Sequence, residues 1–302
     1  MRATQKNPKQ FTLARYEENA ALQLIAFTGV TFIVFHFARV LFLVFGHDKN
    51  EVFQMMFPNI GLSSIEVFKH KFWTVFTYGL AHHGFWDWFS NMIWVYCFAT
   101  VLQGTAGYRQ VIPLFLYGLF FGGIFYLIGQ KLAEDFFVLH ENQHILGAYG
   151  GIMAIAAAAL AIHPKQRLHF NENFSIPVIW IVVVYAVLTT VSYFETARGI
   201  LSVCIGGTLT GLGFAFLLKK GYQPGAWIYA LAEKVQAGVT PKEDIAKDRK
   251  AAAKRKELLQ TYYEPTGNIS QAQIDEILDK INEKGYYTLT REEKELLKKA
   301  GK

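Results

Sequence analysis

Long apolar runs dominate the sequence from about residue 20 to residue 218 and constrain the fold more than any other feature. Each run has roughly 17 to 26 residues, the length that a helix needs to cross a hydrocarbon core of ~30 Å. Backbone polar groups in lipid must be satisfied within the segment, so each run predicts a helix. The sequence thus predicts an all-α membrane protein with six transmembrane helices, at residues 21–45, 86–103, 110–130, 147–163, 176–194 and 199–218.

Basic residues are unevenly distributed over the ends of these spans. Lys and Arg accumulate on the cytoplasmic side of membrane proteins. If the N-terminus is inside, one side receives Arg2, Lys6, Lys9, Arg15, Arg109, Lys165, Arg167, Lys219, Lys220 and the basic tail. We therefore expect both termini to be cytoplasmic. The polar N-terminus, residues 1–20, shows no signal-peptide cleavage site, so the first span is expected to stay in place.

The connection between the first two spans, from about residue 46 to residue 85, is too apolar for an ordinary loop. It contains Met55-Met56-Phe57 and the stretch Phe72-Trp73-Thr74-Val75-Phe76. Such a segment suits the membrane surface better than bulk water. The sequence therefore predicts a long interfacial first loop.

The polar C-terminal third divides into two parts. Residues 221–267 form a basic juxtamembrane linker, which suits attraction to anionic lipid. Residues 268–302 predict a small cytoplasmic helical hairpin, in which Ser270 caps a helix that ends at Gly285. A capping box of Thr290 and Glu293 begins the second helix. A unit of about 35 residues is too small to be stable alone, so we expect it to dock on another surface.

Other binding classes find little support in the sequence. Cys97 and Cys204 both lie in apolar runs, where a thiol behaves as a small hydrophobe, so no disulfide is predicted. No cofactor or metal site is predicted. The basic tail has no nucleic-acid-binding motif beside it. The lipid bilayer is the expected partner.

Three segments carry the most specific patterns. In residues 72–92, Phe72-Trp73-Thr74 leads to His82, Asp87 and Asn91. Residues 146–154 contain Gly147-Ala148-Tyr149-Gly150, and residues 203–211 contain Cys204-Ile205-Gly206-Gly207. In order and spacing, these segments resemble the rhomboid family of intramembrane serine proteases. The resemblance covers about residues 20–220. The C-terminal tail also resembles that of some bacterial rhomboids. The expected location is therefore a bacterial inner membrane.

The resemblance implies a degenerate catalytic site. Where the family has its nucleophilic Ser this chain has Tyr149, and where the family has its general-base His it has Cys204. Asp87 stands in place of a second His, whereas His82 and Asn91 match the pattern. A Tyr hydroxyl with a reference pKa of ~10 is a poor substitute for Ser, and a Cys cannot act as its base. The chain is therefore interpreted as a rhomboid pseudoprotease with no catalytic residues.

Small residues accompany the degenerate positions. Gly147, Gly150 and Gly151 in one span, and Gly206, Gly207 and Gly211 in another, let helix backbones approach closely. We therefore expect these glycines to pack helices.

Asp87 is the most unusual residue in the second span, because a carboxylate near the membrane is costly unless it is paired or faces water. Asp87 and Asn91 share a helix face, and Tyr149 could donate a hydrogen bond to Asp87. We favour a structural polar cluster over ligand or proton binding.

The resemblance also implies a role. Catalytically dead relatives bind transmembrane client proteins without cutting them and act in their assembly, folding or regulation. The family's lateral entrance lies between the second and fifth spans, where Trp86, Trp94 and Trp180 are candidates for client contact. The hairpin is a candidate docking module for a cytoplasmic partner. Two alternatives remain: an active endopeptidase using Cys204 with His82 or His83, and a fixed structural subunit of a bacterial envelope complex.

Overall fold

Helices make up most of the chain. The computed structural model describes residues 19–137, 144–169, 175–194, 199–239 and 271–300. The helices are α1 (Ala20–Val44), α2 (Lys49–Ile60), α3 (Ile65–His70), α4 (Thr74–Thr77), α5 (Phe85–Ala106), α6 (Val111–Phe137), α7 (Tyr149–Ile162), α8 (Val178–Tyr193), α9 (Gly199–Lys219), α10 (Ala226–Val239), α11 (Gln271–Lys284) and α12 (Arg291–Ala300). Single 3-10 turns occur at Tyr108–Gln110 and Tyr286–Thr288.

Each of the six predicted spans corresponds to a helix, namely α1, α5, α6, α7, α8 and α9. Among the residues that the structure describes, three segments are long and apolar enough to cross a membrane: Ala20–Val44, Tyr108–Leu132 and Gly199–Lys219. The apolar helices α7 and α8 are shorter, and α5 carries Asp87 in its first turn. The six-span count therefore stays a prediction.

Two elements differ from the expectation. A short antiparallel hairpin, β1 (Arg167–His169) with β2 (Ser175–Pro177), joins α7 to α8, so the fold is not purely helical. The stretch expected to be a linker contains α10, which follows a turn at Gly221 with φ of 88°. The basic segment at 250–256 and the Ser270 cap lie outside the described residues.

The centre of the bundle is α7. It packs against α5, α6 and α9, and its side chains are almost all buried. The alanine run from Ala156 to Ala159 is 0–6% exposed. Small side chains allow this close packing, because they let neighbouring backbones approach. A helix at the centre fixes the position of its own first residue, Tyr149.

The long first loop folds into α2, α3 and α4 at one end of the bundle. Val52, Met56 and Phe57 pack with Phe35 of α1 and with Leu146. An isolated bridge pairs Leu62 with Ile145, which ties the loop to the entry of α7. A set of aromatic side chains stays exposed: Phe72, Trp73, Phe76, Phe85 and Trp86. Aromatic residues of this kind suit a membrane interface.

Residues 271–300 form two helices, α11 and α12, joined by a 3-10 turn. The predicted capping box is confirmed: the Glu293 amide donates to Thr290 Oγ1 at 3.2 Å, and the Thr290 amide donates to Glu293 Oε2 at 2.7 Å. Lys280 of α11 pairs with Glu293 at 2.6 Å, which holds the two helices together. Its hydrogen bond is the main reason that the pKa of Glu293 is lowered.

This hairpin docks on its own chain. Gly285 and Gly107 face each other: a Cβ on Gly285 would lie 2.6 Å from the Ala106 carbonyl oxygen, and one on Gly107 would lie 2.8 Å from that of Glu283. Arg109 pairs with Glu283 at 2.5 Å, and the ring of Tyr287 stacks on His163. The hairpin therefore covers the ends of α5 and α7.

Substitution of Gly285 should release the hairpin. Gly285→Ala places a Cβ against Ala106 and also strains a backbone with φ of 87°, which costs roughly 1–2 kcal/mol. We expect faster amide hydrogen exchange throughout residues 271–300.

The matched control is Gly221→Ala. Gly221 has φ of 88° but nothing within 4 Å of an added Cβ. It carries the same backbone strain without the contact and should leave hairpin exchange unchanged. Equal exchange in the two variants would contradict the docking.

Candidate functional site

Asp87 is the acceptor at the centre of a polar cluster. Gly84 precedes α5, and Asp87 lies in the first turn of that helix, where a carboxylate is favoured by the helix dipole. The His83 amide donates to Asp87 Oδ2 at 3.1 Å. Asn91, one turn further along, donates from Nδ2 to Asp87 Oδ1 at 3.0 Å. Asp87 and Asn91 thus share a helix face, as the sequence predicts.

Tyr149 completes the cluster from the start of α7. Its hydroxyl donates to Asp87 Oδ1 at 2.9 Å, which confirms the bond expected from the sequence. The same hydroxyl lies 2.6 Å from the hydroxyl of Tyr193, the last residue of α8. The Tyr149 side chain is only 5% exposed, so the aromatic ring fills the space at the head of α7.

The loop before α7 sets the direction of Tyr149. Gly147 has φ of 119°, a backbone conformation that favours glycine, and its amide donates to the Tyr78 carbonyl oxygen at 2.9 Å. A Cβ at Gly147 would collide with the Tyr149 ring. The sequence assigned Gly147 to helix packing, but it lies before the helix and instead makes room for Tyr149.

The electrostatics of the cluster follow from its hydrogen-bond donors and its one carboxylate acceptor. An ionised carboxylate only accepts hydrogen bonds, and Asp87 receives them from a backbone amide, a side-chain amide and a phenol. Bonds of this kind to a charged acceptor are stronger than neutral ones. The donors therefore offset the cost of holding a carboxylate here, as a structural polar cluster requires.

His82 lies near Asp87 of this cluster, in the segment between α4 and α5. Its side chain is 0% exposed, and neither ring nitrogen makes a hydrogen bond within the part of the chain that the structure describes. Burial lowers the pKa of His82 to about 4, although the nearby Asp87 carboxylate acts in the opposite direction. His82 is therefore a neutral, buried ring near neutral pH.

Cys204 lies in α9. It lines a cleft of about 340 Å³ between α7, α8 and α9, together with Met153, Thr189 and Thr208. Among the described residues, no hydrogen bond joins Cys204 to His82 or His83. This is the pair that a rebuilt cysteine protease would use.

The remaining glycines lie at the contacts of α6, α7 and α9. A Cβ on Gly150 would lie 2.6 Å from the Gly118 carbonyl oxygen, and one on Gly207 would collide with that of Gly150. Gly206 faces Phe121 and Phe125 of α6, and Gly211 faces Ala154 of α7. These positions therefore set how closely the three helices approach.

The candidate client-contact residues lie on α5 and α8. Trp86 and Trp180 are 76% and 62% exposed. Trp94 packs against Tyr185 of α8, with ring centroids 5.0 Å apart, and Tyr185 also contacts Phe98. The Tyr185 ring therefore joins the two helices at the expected entrance.

Sequence reasoning missed Tyr185 and Tyr193. Each carries a phenol in a mostly apolar run, and this was the available signal. Their partners lie on α5 and α7, far away in sequence, so the run itself does not indicate what they contact.

Comparison with known proteins identifies the family of the central part of the chain. A family model for the rhomboid domain matches residues 69–221, half of the 302 residues. The chain belongs to the rhomboid family. A second model, a family of unknown function (DUF6576), matches residues 263–302. No curated protein matches the sequence.

The rhomboid match contains Asp87, Tyr149 and Cys204, the three positions at which the sequence predicts exchanged catalytic residues. The second match contains both hairpin helices. The described contacts of that hairpin with Ala106, Gly107 and Arg109 therefore join the two matched regions.

Removal of the Tyr149 hydroxyl should weaken the fold. Tyr149→Phe keeps the ring but leaves Asp87 without one donor, so we expect a loss of roughly 1–3 kcal/mol in the free energy of unfolding. Thermal unfolding in detergent measures it. Tyr193→Phe, which keeps the Tyr149 bond to Asp87, should cost less. Equal stability of Tyr149→Phe and wild type would contradict a structural role for the cluster.

Proposed function

We propose that this chain is a rhomboid pseudoprotease, which binds transmembrane segments of other proteins without cleaving them. One observation carries the proposal. Tyr149, at the position of the family's nucleophile, has its hydroxyl between Asp87 at 2.9 Å and Tyr193 at 2.6 Å. A hydroxyl engaged with two structural partners is not available for attack on a peptide carbonyl.

The other requirements of acyl transfer are unmet as well. A general base must have a pKa near the working pH and lie within reach of the nucleophile. Cys204 replaces that base, and the described hydrogen bonds of Tyr149 go to Asp87 and Tyr193 instead. The space for a scissile carbonyl is also reduced, because the Tyr149 ring is packed at 5% exposure.

The Asp87 carboxylate is the feature least compatible with hydrolysis. Acyl transfer passes through an oxyanion, which needs hydrogen-bond donors around it. Asp87 stands where the family has a His, and an ionised carboxylate there offers only acceptors. Its negative charge would repel the developing oxyanion. The cluster thus disfavours the anionic transition state of proteolysis.

The surface for a client lies on α5 and α8. Within α8 only Val178, Tyr185 and Thr189 are buried. The rest of the helix presents apolar side chains outward, among them Trp180, Val183, Val187 and Val191. Packing between helices in lipid relies on such van der Waals contact together with local hydrogen bonds. A client helix would pack along this face, next to Trp86 and Trp94.

The bundle is proposed to lie in the inner membrane of a bacterial cell, with its basic end facing the cytoplasm. Asn19 bonds to Gln103, and Tyr287 contacts His163, so the start of α1 and the ends of α5 and α7 are on one side. Arg109 lies at that end. The positive-inside rule then places both termini inside.

A cytoplasmic partner of the hairpin would have to use its outer face. The inner face is occupied by the ends of α5 and α7. Leu278 and Tyr286 are 48% and 45% exposed on the outside. We propose these side chains as the contact for such a partner.

A reconstituted cleavage assay tests the loss of activity. Wild type should be inert on a generic rhomboid substrate that an active rhomboid cuts. The double variant Tyr149→Ser with Cys204→His restores the dyad, and adding Asp87→His removes the carboxylate; cleavage should rise in that order. Wild-type cleavage that Cys204→Ala abolishes would instead establish the rebuilt protease.

Photo-crosslinking in membranes tests the binding role. A crosslinking amino acid at Trp180 or Trp94 should capture client transmembrane segments. The matched control is Ile33, which is 66% exposed on the outer face of α1. Equal capture at all three positions would contradict a client site between α5 and α8. One stoichiometric partner that survives detergent would identify a fixed subunit of a complex.

A further inference from the structure

An apolar groove lies between α6 and α9, next to the cleft that contains Cys204; Leu209 lines both. It has a volume of about 440 Å³ and is lined by Tyr117, Phe121 and Phe125 of α6 and by Leu209, Gly213 and Leu217 of α9. At its upper end Gly206 is in close contact with Phe121 and Phe125. At Gly213, by contrast, an added Cβ would have nothing within 4 Å. The groove is thus open where the glycine leaves space.

The length of the groove matches one leaflet of a bilayer. From Gly206 to Leu217 the helix rises roughly 17 Å at 1.5 Å per residue. This is about half of a hydrocarbon core of ~30 Å. An extended acyl chain from the nearer leaflet would therefore fit along it.

The lower end of the groove is at the level of the membrane interface. Tyr117 donates from its hydroxyl to the Pro224 carbonyl oxygen at 3.0 Å, and Trp227 Nε1 donates to the Tyr117 hydroxyl at 2.5 Å. Trp227 and Tyr222 are 57% and 64% exposed. Exposed Trp and Tyr mark the headgroup level of membrane proteins.

This end is also positively charged. Lys219 and Lys220 are exposed at the end of α9, and the Lys220 ammonium lies 4.3 Å from the centroid of the Phe216 ring. No Asp or Glu occurs in the sequence from Gly199 to Leu231. The positive charge of Lys219 and Lys220 therefore has no acidic residue close to it in the sequence. This charge is complementary to a phosphate group.

We propose that this groove binds one anionic glycerophospholipid, with an acyl chain between α6 and α9 and the phosphate at Lys219 and Lys220. The apolar lining recognises the chain, and the two ammonium groups recognise the negative headgroup. Lys and Arg near a membrane surface each add to the attraction of anionic lipid.

Native mass spectrometry of the purified full-length chain tests this proposal. The chain is titrated in neutral detergent with phosphatidylglycerol or phosphatidylcholine of the same acyl composition. We expect one phosphatidylglycerol to stay bound, with an affinity about tenfold higher than that of phosphatidylcholine. Equal binding of the two lipids in wild type would overturn the proposal.

Two sets of variants separate the groove from the charge. Gly213→Leu fills the groove and should abolish the bound lipid, whereas Gly104→Leu should not. Gly104 is an exposed helical glycine of α5 that also has nothing within 4 Å of an added Cβ, so it is a matched control. Retention of the lipid by Gly213→Leu would overturn the groove as the site.

Lys219→Gln with Lys220→Gln should remove the preference for phosphatidylglycerol while leaving weak binding of both lipids. These substitutions are on the surface and should not affect folding. Lys69→Gln with Lys71→Gln, in and beside α3, is the control for net charge. A preference that survives in the Lys219 and Lys220 variant, or that is lost in the control, would contradict the proposed headgroup site.

Discussion

The structure depends on the close approach of three helix backbones, those of α6, α7 and α9. Gly118, Gly150 and Gly207 lie at one level, where an added Cβ on any of them would be within 2.6 Å of a neighbouring backbone oxygen. Gly211 and Ala154 repeat the contact further along α7 and α9. In lipid, burial of apolar surface gives little advantage to helix pairing, so contacts at this distance supply the attraction.

This packing determines what happens at the head of α7. Because α7 is surrounded by α5, α6 and α9, its first residue is directed into the bundle and not toward lipid. A Ser there would leave a space, whereas Tyr149 fills it and extends to Asp87 and Tyr193. The residue at this position therefore links α5, α7 and α8 through its hydroxyl. The head of α7 thus holds a satisfied polar cluster of Asp87, Tyr149 and Tyr193.

The hairpin adds a second constraint at the opposite end of α5. Gly107 and Gly285 bring the backbones of the two regions into contact, and the Arg109 pair with Glu283 accompanies them. A partly exposed ion pair contributes little by itself, so the backbone contact matters more. The segment that matches a family of unknown function is thus placed against the rhomboid domain, on the helix whose other end holds Asp87.

The sequence by itself determined the positions of the six apolar helices, because apolar length and the need to satisfy backbone groups in lipid are local properties. It also predicted the polar contact between Tyr149 and Asp87, and the capping box at Thr290. It did not predict α10. Only the tertiary structure decided that Gly147 adopts a positive φ to make room for Tyr149, that Tyr193 joins the cluster, and that the hairpin rests on Gly107. The contacts of Tyr149 with Tyr193 and of Gly107 with Gly285 join residues that are distant along the chain. Hydropathy and spacing describe one segment at a time and contain no record of which segments meet.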